Sequence, residues 1–387
     1  MTSPLPTVSD RSAALEASGF GGRFRVVQTH NLAFWVYLLL IVIGLLAMFQ
    51  QLQGALVAFQ GSLASSVVLF AAYAVPFWLF LRHIDRFDSV PEKLAGAAFL
   101  YGGVVATFAM ATYSNDAVIS LWGKVYGQQF AADWAAALTA PFVEELAKAS
   151  GLVLLLMLAP RLIRTAFDGL IVGAFLGLGF QIFEDVIYGI NSAFADFGVD
   201  AVASTYGTSV MRIVVGITSH WVYSAIFCAG LIYAVGRPDE PRRIGRGIFL
   251  MAAAMVLHGL WDATGGLAGI NAILFPVVYL LVPVTLVWLF VWTYKASVVT
   301  ERRWTREIME PEVALGVLTQ DDVDALAGSR KQRKAYIEAH EGHGGRRRAK
   351  RVLHAASDLA TQIAEDGGVD TDRVRFARSE VDRVKST

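Results

Sequence analysis

Eight runs of apolar residues constrain this chain more than any other feature. Crossing the hydrocarbon of a bilayer takes about 20 apolar residues. The runs fall at roughly 33–49, 64–81, 94–113, 135–159, 167–190, 208–235, 244–263 and 270–294. A backbone in lipid must satisfy its own hydrogen bonds, which helices do within one segment. The expectation is therefore an all-α, polytopic helical membrane protein of about eight transmembrane helices. Charge is partitioned to match: the first 294 residues hold 32 Asp, Glu, Lys and Arg, and the last 93 hold 34. That excludes a single soluble domain and a disordered chain. Three parts are expected: an N-terminal segment 1–32, a transmembrane domain 33–294 and a helical tail 295–387, whose runs of Ala, Arg, Glu and Leu break at the glycines of 342–345 and 367–368.

Loop charges set the orientation. The segments 1–32, 82–93, 160–166 and 236–243 carry arginines and one lysine, among them Arg82, Arg86, Lys93, Arg161, Arg164 and Arg237. The alternate loops hold Lys124 and otherwise acids such as Asp116, Asp133, Asp196 and Asp200. The positive-inside rule places both termini in the cytoplasm, and an even span count agrees. The arginines ahead of the first run do not fit a cleavable signal peptide, so that run reads as a retained helix. Zero net charge gives no reason to expect a nucleic-acid partner, and the lone Cys228 excludes a disulfide framework or a thiolate metal site. Arg346, Arg347, Arg348, Lys350 and Arg351 read as a solvated helix face beside an anionic leaflet. His340, Glu341 and His343 lack the spacing of a zinc helix and read as a chance match.

A charge at the bilayer centre costs roughly 2.5–3.5 kcal/mol, yet four consecutive runs carry ionisable residues well inside. They are Glu144, Glu145 and Lys148 in TAPFVEELAKAS, Glu184 and Asp185 in GFQIFEDVIYG, His220 in RIVVGITSHWVYS, and His258 and Asp262 in MVLHGLWDATGG. At a rise of about 1.5 Å per residue, Glu144, Glu184, His220 and His258 all fall in the middle to outer half of the membrane. Residues four apart share a helix face. Glu144 and Lys148, Glu184 and Tyr188, His220 and Ser224, and His258 and Asp262 are such pairs. A lone intramembrane histidine is most often an interhelical hydrogen bond, and Gly169, Gly173 and Gly177 read as close helix packing. Two histidines and three glutamates at matched depth are instead a reactive set.

Two histidines with carboxylates suit a divalent metal such as zinc, and a further carboxylate then serves as general base to a bound water. His220, His258 and Glu184 are the expected ligand set. Without metal, a glutamate can activate water directly while the histidines steady an oxyanion. Both schemes hydrolyse an amide within the membrane. A competing class is a proton-coupled transporter or channel with Glu184, His220 and Asp262 as relay. It predicts inverted repeats and broken helices, and neither is read in the sequence. A third is a non-catalytic scaffold that binds partner helices in the same cavity.

The motifs Glu144-Glu145-x-x-Lys148, Phe183-Glu184-x-x-x-Tyr188, His220-x-x-x-Ser224 and His258-x-x-x-Asp262, in this order on consecutive runs, resemble the PrsW family of intramembrane proteases. That family is related to the CAAX-prenyl-protease-like membrane peptidases. The segment Asp85-Arg86-Phe87-Asp88-Ser89-Val90-Pro91-Glu92 resembles a degenerate form of the family's acidic loop, and the resemblance covers about 80–265. It implies a protease of the bacterial cytoplasmic membrane. Its substrates would be membrane-anchored, single-span regulators such as anti-sigma factors, cut on the outer side. Glu144 and Glu145 would be catalytic, with His220 and His258 as ligands or oxyanion supports.

Overall fold

The structure is a computed structural model that describes residues 8–87 and 90–386. It is 83% helical and has no strand among the described residues. Asp88 and Ser89 of the acidic loop lie outside them. Two compact units result, one from residues 24–85 and 92–296, the other from the described residues of 1–23, 86–91 and 297–387.

In the first unit, several of the apolar runs lie in helices that continue past the hydrophobic stretch. The run at 33–49 lies within Leu32–Ala58 and that at 94–113 within Glu92–Tyr126. Hydropathy marks only lipid depth, while helix propensity carries the backbone further. Seven helical stretches among the described residues are long and apolar enough to cross a membrane. The expected fourth run is also a helix, Ala136–Leu158, of 23 residues. It is distinguished by Glu144, Glu145 and Lys148, all buried, rather than by its length.

Ala166–Ala195 is the central element and is buried on nearly every side. Thr165 starts it through a capping box, its backbone N–H donating to Asp168 at 2.8 Å. Its glycines admit the helix His220–Val235 at backbone contact. A Cβ on Gly177 would lie 2.3 Å from the His220 carbonyl oxygen, and one on Gly173 2.5 Å from that of Ser224.

Two irregularities shape the site. Tyr101–Ala111 is π-helical, and its widened turns direct Thr107 and Ala111 inward. The run at 208–235 does not form the single helix expected. Ala201–Val215 ends, Gly216–Thr218 makes a 3-10 turn, and a new helix begins at His220. Gly216, Thr218 and Ser219 favour such an interruption. Carbonyls at the break find partners: Gln181 Nε2 donates to Gly216 at 2.8 Å, Tyr73 Oη to Ile213 at 3.0 Å and Trp221 Nε1 to Ile217 at 2.9 Å.

The second unit packs Val8–Ser18, Val299–Ala314, Gln320–Leu326, Arg330–Ala339, Gly342–Glu365 and Asp372–Ser386. Leu15, Trp304, Ile308, Leu353, Leu359 and Val381 belong to its core. The buried Glu312 carboxylate accepts from Arg11 at 2.7 Å and from Arg378 at 2.7 and 2.9 Å. It thereby joins the first and last helices of the unit. Pairing on both oxygens is what allows a carboxylate to be buried there.

Candidate active site

Four helices bring the intramembrane charges together. Glu144, Glu184, His220, His258, Asp262 and Tyr188 line one cavity of about 260 Å³. Glu145, Lys148 and Ser224 lie behind its wall, fully buried.

The two adjacent glutamates have different surroundings because consecutive helical residues point about 100° apart. Glu144 Oε1 accepts from Asn115 Nδ2 at 3.0 Å. Its Oε2 is buried with no hydrogen-bond partner, 3.5 Å from His220 Nδ1 and 3.7 Å from His258 Nε2. Glu145 is fully engaged. Lys148 Nζ lies 2.6 Å away, Ser224 Oγ donates at 3.0 Å, and His258 Nδ1 is 3.5 Å from Oε1. Lys148 is 4.0 Å from Glu144 Oε2, sits over the Phe180 ring at 4.3 Å and reaches His220 Nδ1 at 3.3 Å.

His220 opens its helix, so the break at 216–219 aims its ring. Nε2 pairs with Glu184 Oε2 at 2.9 Å. His258 stacks on Tyr223, with centroids 4.8 Å apart and planes 11° from parallel, and its Nε2 lies 3.5 Å from Asp262. Tyr188, one turn beyond Glu184, is exposed on one face and carries the Arg212 guanidinium over its ring at 4.1 Å.

Arg212, Asn115 and Tyr223 belong to this constellation and were not singled out in the sequence. Arg212 donates to Glu184 at 3.0 Å and also pairs with Asp185. Its signal was present: a cation in an apolar run, eight residues before His220. Asn115 lies past the end of the 94–113 run, on the part of the helix that hydropathy does not mark.

The donor set suits a divalent cation. Glu144, His220 and His258 each offer a ligand atom within 4.8 Å of the others. With metal–ligand bonds of about 2.0–2.1 Å, tetrahedral ligands stand about 3.4 Å apart, close to the 3.5 and 3.7 Å found here. The unpartnered Glu144 Oε2 fits a cation. Glu184 is not in the close group, since His220 and Arg212 hold its carboxylate.

No curated protein and no solved structure matches the chain. A family model does, that of the PrsW family intramembrane metalloproteases, over residues 90–292. The match starts beyond Asp85–Ser89, takes in all four charged helices and covers just over half of the chain. On that match, the chain belongs to the PrsW family of intramembrane metalloproteases.

Proposed function

We propose that this protein is an endopeptidase that cuts single-span, membrane-anchored regulatory proteins, with Glu144 as its water-activating group. The observation that carries this reading is Glu144 Oε2. It is a buried carboxylate oxygen in a cavity, without a hydrogen-bond partner, within 3.7 Å of two imidazoles.

The surrounding residues fix its position. Asn115 holds the other oxygen, so Oε2 faces the cavity. Glu184 accepts from His220 Nε2, which leaves Nδ1 as the basic nitrogen beside Glu144. Lys148 and Ser224 hold the Glu145 carboxylate behind the wall, where it balances the ammonium and takes no proton from substrate water. Glu144, His220 and His258 are the residues that would hold zinc, and Glu144 would then act on the water through the metal, as its ligand. Zinc, when bound, supplies an acidified water and polarises the scissile carbonyl.

A second reading is favoured by one contact. Lys148 Nζ lies 3.3 Å from His220 Nδ1, so an ammonium already occupies that side of the ring. Glu144 would then take the proton from water directly, and the two imidazoles would support the oxyanion.

The test is cleavage of a single-span reporter by purified protein, with metal analysis of the same samples. Glu144→Gln keeps the shape but cannot accept a proton, and should lower cleavage by about 10²–10⁴-fold while the protein still inserts. A wild-type rate overturns the assignment. Bound zinc that is lost in His258→Ala supports the first reading. Full activity of metal-free protein supports the second.

We also place both termini on the cytoplasmic side, from the loop charges. A topology reporter fused at Asp196 that reads as cytoplasmic refutes this.

A further inference from the structure

We infer that the second unit carries a binding groove for anionic phospholipid headgroups, formed between Arg330–Ala339 and the start of Gly342–Glu365. The sequence shows two separate basic clusters, and the fold makes them one surface. Arg330, Arg333, Lys334, Arg346, Arg347 and Lys350 line a single open groove of about 600 Å³. Glu338 also lines it, 3.6 Å from Lys334. Residues 329–351 contain nine Lys and Arg against two Glu, a surplus of seven positive charges in a chain whose net charge is zero.

This charge does not serve the unit's core. Gly342–Glu365 buries Ala349, Val352, Leu353 and Ala356 on one face and leaves Arg346, Arg347 and Lys350 exposed on the other. Buried charges of the unit are matched instead, as at Glu312 with Arg11 and Arg378. An open groove of guanidinium and ammonium groups matches phosphate, which arginine binds with two parallel donors. The occupant follows from connectivity. Leu274–Ser297 is an apolar helix of membrane-crossing character, and Val299–Ala314 of this unit begins two residues later. The unit is therefore tethered at a bilayer surface, where phospholipid phosphate is present at high effective concentration. A basic residue near an anionic leaflet contributes roughly a fivefold gain in affinity.

The test uses the full chain in nanodiscs of phosphatidylcholine with or without phosphatidylglycerol. A fluorophore is attached through His343→Cys, since Cys228 is buried and escapes labelling. Quenching by headgroup-labelled lipid should be about tenfold stronger in the anionic discs and should disappear at high salt, where surface charges are screened. Replacing Arg333, Lys334, Arg346 and Arg347 together by Gln should weaken lipid binding by more than about a hundredfold. The salt titration of the unsubstituted groove decides the matter should that variant misfold. Equal quenching in both lipid compositions overturns the proposal. So does a response to an acidic polypeptide alone, which would assign the groove to a protein partner.

Discussion

Replacing Gly177 by alanine should slow cleavage as well as destabilise the protein. The new Cβ would stand 2.3 Å from the His220 carbonyl oxygen and 2.7 Å from Trp221 Cα. A carbon–oxygen contact needs about 3.3 Å, so the start of the His220 helix must retreat by about 1 Å. Both obstructing atoms are backbone, and no side chain can rotate away. His220 would then leave the 2.9 Å contact with Glu184 and its place beside Glu144. A misplacement of that size at a reacting centre costs about 10²-fold in rate, while the overpacking itself costs about 1–3 kcal/mol of stability. Two controls separate these effects. Gly169→Ala meets Ile232 Cγ1 at 2.6 Å, about 12 Å along the same helix, so it should lose stability with little loss of rate. Gly96→Ala meets nothing within 4 Å and should be neutral in both. The assay is reporter cleavage in proteoliposomes alongside thermal unfolding of the same samples. Wild-type cleavage by Gly177→Ala, or equal rate losses in Gly177→Ala and Gly169→Ala, refutes the argument that this contact positions His220.

Arg212→Gln should lower kcat by about 10–100-fold by releasing Glu184 from its place on His220, with KM little changed. Arg212→Lys should recover part of the loss, because an ammonium keeps the charge but not the two-armed grip on Glu184 and Asp185. Equal activity of Arg212→Gln and the parent chain rules this role out. In the second unit, burial by itself would raise the Asp322 carboxyl, but Lys385, the Thr319 N–H and the Tyr336 hydroxyl hold it below the usual 3.8. A depressed folded value stabilises the unit above the unfolded carboxylate range, and that contribution is lost as pH falls through the folded value. The protection of residues 319–340 against hydrogen exchange, taken relative to the intrinsic rate at each pH, should therefore fall on acidification below the ordinary carboxylate range. Asp322→Asn should exchange faster at neutral pH and lose that dependence, and an unchanged pH profile in the variant contradicts the assignment.

The charged set was legible because ionisable residues are so costly in apolar runs that each one is conspicuous. Glu144, Glu184, His220 and His258 fall in consecutive apolar runs, and the structure gathers them around one cavity. Which glutamate faces that cavity was not legible. Lys148 stands at helical spacing from both Glu144 and Glu145, and only the neighbouring helices decide between them. The break before His220 was hidden for a different reason. Gly216, Thr218 and Ser219 are ordinary in a membrane span, and the groups that satisfy the freed carbonyls, Gln181 and Tyr73, lie 35 and 140 residues away in sequence from their acceptors. Asn115 was missed because apolarity ends where lipid ends, whereas the helix continues to Tyr126.

The charges of Ala136–Leu158 also bear on how the chain is made. Ten Leu, Val and Phe residues in that helix favour entry into lipid by roughly 4–5 kcal/mol in all. Glu144, Glu145 and Lys148 together oppose it by roughly 8–10 kcal/mol. Taken alone as it leaves the ribosome, the segment would partition to water. Its charges are matched only by partners translated later, Ser224 and His258 among them. Its integration must therefore await helices some 80 to 120 residues downstream, and a nascent chain truncated near residue 165 should leave this segment outside the bilayer in an insertion assay.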